Sequence, residues 1–398
     1  MTARRWLPNL LLAAGSLVCF AGAAELVARA VDLRPAGGSA VANPAWLGDR
    51  VMLRADYREQ MAKAGVLSRY YELYEWDRYL FYRLRPGVDI ELLDVFAPPR
   101  ARERSRWRVQ TNSRGFRTPE FAGAPAPGTL RIAVLGDSST FGWGVDAADT
   151  YPARLGPALA KRWGVDPARV EVLNLGVPGY SSFQGRVLLE RVALGYEPDA
   201  VVWSYLSNDG AVTGESDQTT YARRVGPSGA LLAALHRSRA FEALEAWIAV
   251  LRARWQPPAA PDPRDREQRN VPSYRAAGVN VAGAVALAQG AGIPIVLLGQ
   301  CTRGQPAAVM ASAARDSGAP HLDATALLDA TVPALQSDAR FADWRAHQLD
   351  LYGPDEVESH PRLLAFLPDF CHPNAIGQRV VADALAEIVA GALPAPKP

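Results

Sequence analysis

The 398-residue sequence contains few of the residues that hold metals or build disulfide frameworks. It has three Cys and five His, and its cysteines do not have the spacing of a metal site. Its 43 basic and 41 acidic residues leave a net charge of only +2, so it lacks the basic surplus typical of nucleic-acid-binding proteins. It also lacks an internal repeat of the solenoid or propeller kind. These absences predict a protein without a metal and without a nucleic-acid partner.

What the sequence does contain at its N-terminus is a long apolar run. Residues 6–24 carry no charge and follow Arg4 and Arg5. As a helix they would reach roughly 28 Å, about one hydrocarbon core. The preceding arginines predict a cytoplasmic N-terminus, with the body of the chain in the periplasm or outside the cell. We expect residues 1–32 to form a retained signal anchor with a single membrane span. The alternative is a signal peptide cleaved near the Ala-Gly-Ala at 21–23, which would release a secreted protein.

The composition divides the rest of the chain into two parts. Residues 33–125 are predicted to be a linker, rich in Gly, Pro and Ala up to residue 50, followed by a small irregular membrane-proximal segment. This segment is basic and aromatic, and an alternation at 107–110 predicts a strand within it. We expect its aromatic side chains to pack on the main domain, although they could instead form a binding surface. Residues 126–398 are predicted to be the main domain.

Short apolar strands alternate with helical patterns along the main domain. The predicted strands span residues 130–135, 169–175, 199–206, 293–299 and 321–324, and the predicted helices span residues 151–163, 182–194, 271–291 and 375–390. Strands that are apolar throughout and separated by helices indicate a parallel sheet covered on both faces. The functional side chains of such sheets lie at the carboxyl ends of the strands.

Two insertions interrupt this alternation. One lies near residues 211–270, where residues 230–255 predict one long amphipathic helix followed by a Pro- and charge-rich loop at 256–272. The other lies at residues 331–367 and is predicted to be irregular. Either insertion could wall a substrate groove, or it could only add packing surface.

Polar residues of a catalytic type follow the predicted strands. The first strand ends in Gly-Asp-Ser138, the second leads to Gly179, the third leads to Asn208, and Asp369 and His372 precede the last helix. A serine hydroxyl becomes a nucleophile when a base takes its proton and when donors face the oxyanion that forms. We predict His372 as that base, with Asp369 orienting its ring. The predicted oxyanion donors are the N–H groups of Ser138 and Gly179 and the side chain of Asn208.

These four blocks resemble the SGNH (GDSL-type) serine hydrolase superfamily over roughly residues 128–392. The resemblance implies an α/β fold, a flavodoxin-like three-layer α/β/α sandwich with a five-stranded parallel sheet. It also implies Ser138 as the nucleophile, Ser138, Gly179 and Asn208 as the oxyanion hole, and Asp369 with His372 as the base unit. One position departs from the pattern, because Leu206 stands where the third block usually has Gly.

Several neighbours of these blocks have two readings. Gly176 is the alternative to Gly179 in the second block. Asp137 and Asp209 are predicted to be turn and scaffold groups with buried hydrogen bonds, and Trp143 either packs or lines the acyl or sugar site. Cys301 and Cys371 should lie near the same sheet edge, where they are either two buried free thiols or a disulfide that clamps the base loop, the short loop of residues 369–372 that carries Asp369 and His372.

The sequence therefore predicts a membrane-anchored serine esterase that needs no cofactor. Its expected substrate is an acylated small molecule or carbohydrate, with acetyl or short-chain acyl esters of cell-surface or extracellular polysaccharide as the favoured class. The first alternative is an O-acyltransferase that uses the same three residues and passes the acyl group to a sugar hydroxyl. The second is a non-catalytic anchored binding or assembly protein on the same fold.

Overall fold

The N-terminal apolar run forms a single uninterrupted helix, α1 (Trp6–Ala30). The computed structural model describes residues 6–31, 33, 61, 63–94, 96–212, 216–255, 270–271 and 273–396, so most of the predicted linker at 33–50 and of the predicted loop at 256–272 lies outside the described residues. Within the described part of the chain, one helix is long and apolar enough to cross a membrane, at Pro8–Ala30 with a mean hydropathy of 2.0. Its apolar side chains are exposed to the surroundings, as they are in both an anchor and a leader.

The described residues of the membrane-proximal segment, for which the sequence predicts irregular structure, form short helices and strands. They contain helix α2 (Leu67–Glu72), strands β1 (Tyr74–Asp77), β2 (Phe81–Leu84) and β3 (Asp89–Leu93), helix α3 (Pro99–Arg102) and strand β4 (Arg106–Gln110). The strands pair as two antiparallel hairpins, β1 with β2 and β3 with β4. The prediction of irregular structure was wrong because the strands are short and carry buried Tyr side chains in place of a clean aliphatic alternation. The predicted strand at 107–110 and the packing role of the aromatics are both confirmed, since Tyr70, Tyr74 and Tyr82 are buried.

The main domain begins with the elements that form its first strand-helix units. They are β5 (Leu130–Gly136), α4 (Ser138–Phe141), α5 (Tyr151–Trp163), β6 (Val170–Asn174), α6 (Ser182–Arg191) and β7 (Ala200–Ser204). The first insertion follows, with β8 (Ala211–Val212), α7 (Asp217–Val225), α8 (Pro227–Leu235), α9 (Arg239–Trp255) and β9 (Asn270–Val271). The long helix predicted at 230–255 is therefore two helices, which are separated by a turn at residues 236–238.

The chain then completes the sheet and its second helical layer. The remaining elements are α10 (Tyr274–Gly290), β10 (Ile295–Gly299), α11 (Gln305–Ser317), β11 (His321–Asp323), α12 (Ala324–Ser337), α13 (Ala342–Tyr352), α14 (Pro354–Ser359) and α15 (Ala375–Ala392). The insertion at 331–367 is mostly helical, so its prediction as irregular was wrong. Gly353 and Pro354 divide it into short helices, which hid the helical spacing of Trp344, Leu351 and Tyr352.

The five strands β11, β10, β7, β5 and β6 lie in that order and pair in parallel, which confirms the predicted sheet. Successive residues of β5 face opposite sides, because a strand alternates its side chains. Ala133 and Leu135 face a core built with α6, α10 and the membrane-proximal segment. Ile132 and Val134 face a second core built with α5, α12 and α15. The three-layer sandwich places the end of β5 between β6 and β7, the point at which the strand order reverses.

Candidate active site

Ser138 lies at the sharp turn where β5 ends and α4 begins. Asp137 caps this helix, since its Oδ1 accepts a hydrogen bond from the N–H of Ser139 at 2.9 Å. A Cβ at Gly136 would lie 1.9 Å from Oγ1 of Thr140 and 2.7 Å from the carbonyl oxygen of Ser204. The turn therefore requires glycine at 136, and it leaves Ser138 as the first residue of α4 at the carboxyl edge of the sheet.

The base loop, which comes late in the sequence of the main domain, contacts this serine. Nε2 of His372 lies 2.7 Å from Oγ of Ser138, although the two residues are 234 positions apart. Nδ1 of His372 lies 2.5 Å from Oδ2 of Asp369. Oδ1 of Asp369 accepts hydrogen bonds from the N–H groups of Cys371 at 2.9 Å and His372 at 3.0 Å. Hydroxyl, imidazole and carboxylate are thus joined in series, with the carboxylate fixed by the backbone of its own loop.

The charges of this pair reinforce each other. Burial raises the pKa of Asp369, but the attraction of His372 and hydrogen bonds from the loop outweigh it and lower that pKa overall. Burial lowers the pKa of His372, but the attraction and hydrogen bond of Asp369 outweigh it, with smaller contributions from Asp137 and Asp94. The net pKa of His372 is raised. A proton received by the imidazole is therefore stabilised by the carboxylates around it.

A disulfide fixes the base loop to the sheet. Cys301 and Cys371 are paired across a sequence separation of 70, so they are not the two free thiols that formed the other reading. Cys301 follows β10, and Cys371 adjoins His372. The loop is also closed on itself, since the N–H of Leu367 donates to the carbonyl oxygen of His372 at 2.8 Å. The position of the imidazole is thus held by a covalent link and by the backbone.

Gly179 and Asn208 lie on two loops that hydrogen bonds connect to each other and to the serine turn. Nδ2 of Asn208 donates to the carbonyl oxygen of Tyr180 at 3.0 Å, and Oγ of Ser207 donates to Oδ2 of Asp137. Gly179 has a φ of +81°, a conformation that favours glycine. The loops that carry three of the predicted blocks therefore form one connected edge.

The competing glycine of the second block has a different role. The N–H of Gly176 donates to Oδ1 of Asn174 at 3.0 Å. A Cβ at Gly176 would lie 2.4 Å from the backbone nitrogen of Phe141. Gly176 is therefore needed where its loop packs against α4, and its N–H is already used.

Leu206 has the conformation that explains why glycine is usual at this position. Its φ is +94°, and its side chain is fully buried. A left-handed backbone costs a residue other than glycine about 1–2 kcal/mol. The buried Leu206 side chain offsets this cost through its contacts in the core.

Both acids beside the blocks make buried hydrogen bonds, as predicted for turn and scaffold groups. Asp209 is buried and accepts from the N–H of Ser182 at 3.0 Å and from its hydroxyl.

Trp143 is buried, with its ring centroid 5.6 Å from that of Tyr70, 5.3 Å from that of Trp107 and 6.0 Å from that of His372. The tryptophan therefore packs between the base and the membrane-proximal segment.

Three residues of the membrane-proximal segment contribute to the site and were not predicted. The buried Arg117 guanidinium donates to four carbonyl oxygens, those of Phe141, Gly142, Val145 and Arg108. The hydroxyl of Tyr82 donates to the carbonyl oxygen of Pro178 at 2.9 Å, next to Gly179. No sequence motif marks these residues, because their partners are backbone carbonyls.

Asp94 is the third unpredicted residue, and it follows β3. It is only 4% exposed, and its Oδ2 has no hydrogen-bond partner among the described residues. Burial and the negative charge of Asp369 raise its pKa to about 7. Asp94 is therefore a second buried acid that interacts electrostatically with Asp369 and His372.

A hydroxyl, an imidazole and a carboxylate joined in series at the reversal point of a parallel sheet define a serine hydrolase. Within the described residues, no group of three or more His, Cys, Asp or Glu side chains is arranged to hold a metal ion. Residues 134–380 match the GDSL-like Lipase/Acylhydrolase family. Because this match spans more than half of the chain, the protein belongs to that family, and it is a hydrolase of ester bonds.

The chain is also similar to several proteins of known structure. TesA is 15% identical, with 66% of this chain and 100% of TesA covered and a TM-score of 0.39. The psychrotrophic esterase EstA from Pseudoalteromonas sp. is 14% identical, with coverages of 66% and 97% and a TM-score of 0.36. A GDSL-like lipase from Bacteroides thetaiotaomicron is 13% identical, with coverages of 69% and 93% and a TM-score of 0.33. A comparison with curated protein sequences gives no match. Membership in the family rests on the match over residues 134–380.

Proposed function

We propose that this protein is a membrane-anchored serine esterase that removes acetyl or short acyl groups from cell-surface or extracellular polysaccharide. The observation that carries the catalytic part is the 2.7 Å contact between Oγ of Ser138 and Nε2 of His372, with Asp369 on the opposite ring nitrogen. In this proposal Ser138 is the nucleophile, His372 is the general base and acid, and Asp369 orients the imidazole and stabilises its charged form.

The proposed reaction has two halves. Oγ of Ser138 attacks the ester carbonyl carbon while Nε2 of His372 takes the hydroxyl proton. The tetrahedral intermediate then expels the alcohol, which receives that proton from His372, and an acyl-serine remains. Water attacks the acyl-serine and gives a proton to His372, which returns it to Oγ of Ser138 as the carboxylic acid leaves. The raised pKa of His372 supports its role as a proton carrier.

The proposed oxyanion hole consists of the N–H groups of Ser138 and Gly179 and the side-chain amide of Asn208. The amide of Asn208 has two N–H groups, and the contact with Tyr180 uses one of them, so the other can donate to the oxyanion. The left-handed turn at Gly179 and the bond from Tyr82 to the adjacent carbonyl support a fixed direction for the Gly179 N–H. Each such donor contributes about 10²–10³ in turnover.

The proposed location and substrate rest on α1. The uncharged part of this helix, residues 6–24, is long enough for one membrane span. Arg4 and Arg5 favour an N-terminus in the cytoplasm. The main domain would then face the periplasm or the exterior, where acylated polysaccharide is an accessible class of ester.

The test is hydrolysis of p-nitrophenyl esters of increasing acyl chain length by the full chain. We expect the highest kcat/KM for acetyl and other short esters, and a loss of at least ~10³-fold in Ser138→Ala. Ser139→Ala is the matched control. It removes the neighbouring hydroxyl, whose oxygen makes no hydrogen bond among the described residues. Activity that survives in Ser138→Ala would move the nucleophile elsewhere. Acetyl transfer to an added oligosaccharide that exceeds hydrolysis would replace the esterase proposal by an acyltransferase.

A further inference from the structure

Large apolar side chains are exposed on the two helices of the first insertion. Leu231 and Leu235 on α8, and Leu244, Trp247 and Trp255 on α9, are 64, 37, 51, 61 and 83% exposed. We refer to these five residues as the α8–α9 apolar face. On α9 the spacing of three and then eight residues puts the side chains on one side of the helix. Two exposed tryptophans on one helix are unusual for a water-facing surface.

Two other parts of this insertion, the turn between α8 and α9 and the end of α7, contact the membrane-proximal segment. The ring of His236 stacks on Trp76 with centroids 4.7 Å apart, and Phe241 packs on the edge of His236 at 5.2 Å. The Arg224 guanidinium donates to the carbonyl oxygens of Asp77 and Phe81. The α8–α9 apolar face is thus exposed on helices whose connecting turn, at His236, and whose preceding helix, α7, contact the membrane-proximal segment.

The turn between α8 and α9 is attached to the end of the apolar part of α1. Oε2 of Glu25 accepts hydrogen bonds from Oγ of Ser238 at 2.7 Å and from the N–H of Ala240 at 3.1 Å. Nη2 of Arg29 donates to the carbonyl oxygen of Arg237 at 3.2 Å. Glu25 is the first charged residue after the apolar run, so it marks the level at which a spanning helix would leave the hydrocarbon.

We propose that the α8–α9 apolar face lies in the interfacial layer of the lipid bilayer that α1 crosses, and so fixes the orientation of the main domain against the membrane. The bilayer is the favoured occupant because the face begins where α1 emerges, and because Trp and Leu are the residues that settle at this layer. The inference rests on the membrane anchoring in the proposed function, and it does not depend on the catalytic chemistry.

The test uses the full chain with a single fluorescent label. The sequence has three cysteines, of which Cys301 and Cys371 are paired, so Cys19→Ser leaves no free thiol. Trp247→Cys in that background is labelled with an environment-sensitive dye. The matched control is Glu387→Cys on α15, whose side chain is 70% exposed on the opposite face of the sheet. Both proteins are reconstituted into phosphatidylcholine vesicles with spin-labelled lipids, and hydrolysis of p-nitrophenyl acetate checks that each is folded.

The expected result is that the label at 247 is quenched more by a shallow spin label than by a deep one and is shielded from iodide. The fluorescence of the label at 387 should be quenched by iodide and should not be quenched by the spin-labelled lipids. One result overturns the inference and leaves the anchor intact: the protein floats with the vesicles, but iodide quenches the label at 247 as strongly as the label at 387. Shielding without lipid quenching, which grows with protein density, overturns it in favour of a second copy of the chain. A chain that is active but does not float with vesicles overturns the anchor and this inference together.

Discussion

Ser138, His372 and Asp369, at the carboxyl edge of the sheet, contact one another through their side chains, whereas Arg117 and Tyr82 of the membrane-proximal segment donate to backbone carbonyl oxygens. The series of side-chain hydrogen bonds joins two segments, the turn of Ser138 and the loop that carries both Asp369 and His372. Arg117 and Tyr82 instead donate to carbonyl oxygens in the serine turn and in the loop of Gly179. The loops thus carry the groups that we propose to react, and side chains of the segment bind the backbone of two of these loops.

The two regions also fix the site by different means. The base loop is attached by the disulfide between Cys301 and Cys371. The serine turn is attached by one guanidinium, whose burial lowers its pKa to about 10 while it stays charged at neutral pH. A change to a reacting side chain of the loops should therefore reduce the catalytic rate with little effect on stability, whereas a change to Arg117 in the segment should reduce stability first.

The largest expected effect comes from Asp369→Asn. An amide cannot hold the tautomer of His372 that accepts a proton from Ser138, so we expect kcat to fall about 10³–10⁴-fold with little change in folding. The measurement is steady-state hydrolysis of p-nitrophenyl acetate. The matched control is Asp94→Asn, the same change at a buried acid of the membrane-proximal segment. An equal loss in both variants would contradict the division between the two regions.

The next effect comes from removal of the disulfide in the double variant Cys301→Ser, Cys371→Ser. Closure of a loop with a sequence separation of 70 is worth about 4 kcal/mol in the chain-entropy estimate. We expect the urea midpoint to fall accordingly, and kcat in the folded protein to fall because the base loop is less confined. Cys19→Ser serves as the control with the disulfide intact. An unchanged urea midpoint would show that the other contacts of the loop are sufficient.

A smaller effect is expected from Arg117→Met. The methionine fills part of the space but leaves four carbonyl oxygens without their donor, which costs about 3 kcal/mol. Urea unfolding should show this loss, with a decrease in kcat that is smaller than that in Asp369→Asn. Arg114→Met is the control, since Arg114 is exposed and packs over the ring of Phe121. Similar midpoints for the two variants would argue against a specific role for the Arg117 bonds.

The sequence allowed prediction of the loops because their chemistry requires particular side chains in a particular order. Gly136, Ser138, Asp369 and His372 can be identified by type and spacing, and the five strands by continuous apolar runs. The roles assigned to these residues remain proposals, while their convergence at one sheet edge is a feature of the structure.

The membrane-proximal segment could not be predicted in the same way. A buried Arg117 looks like any other arginine in a basic stretch, because the carbonyl oxygens that it contacts leave no pattern in the sequence. The same holds for Leu206, whose positive φ is visible only once the backbone is placed. Whether a side chain binds backbone, or a residue adopts a positive φ, depends on the tertiary structure. The local sequence therefore does not predict these features.

The smallest expected effect is a change of pH dependence in Asp94→Asn. The Asp94 carboxylate contributes to the raised pKa of His372, so its removal should shift the rise of kcat/KM with pH to lower pH. The folded protein holds the Asp94 proton up to a pKa of about 7, whereas the ordinary pKa of an Asp side chain is 3.8. Wild-type stability should therefore decline as pH rises from about 4 to about 7, and the variant should lack this part of the decline. Urea midpoints at about pH 5 and about pH 8 measure this. A wild-type decline that persists unchanged in Asp94→Asn would assign it to other groups, and the membrane-proximal segment would then act on the site through backbone contacts alone.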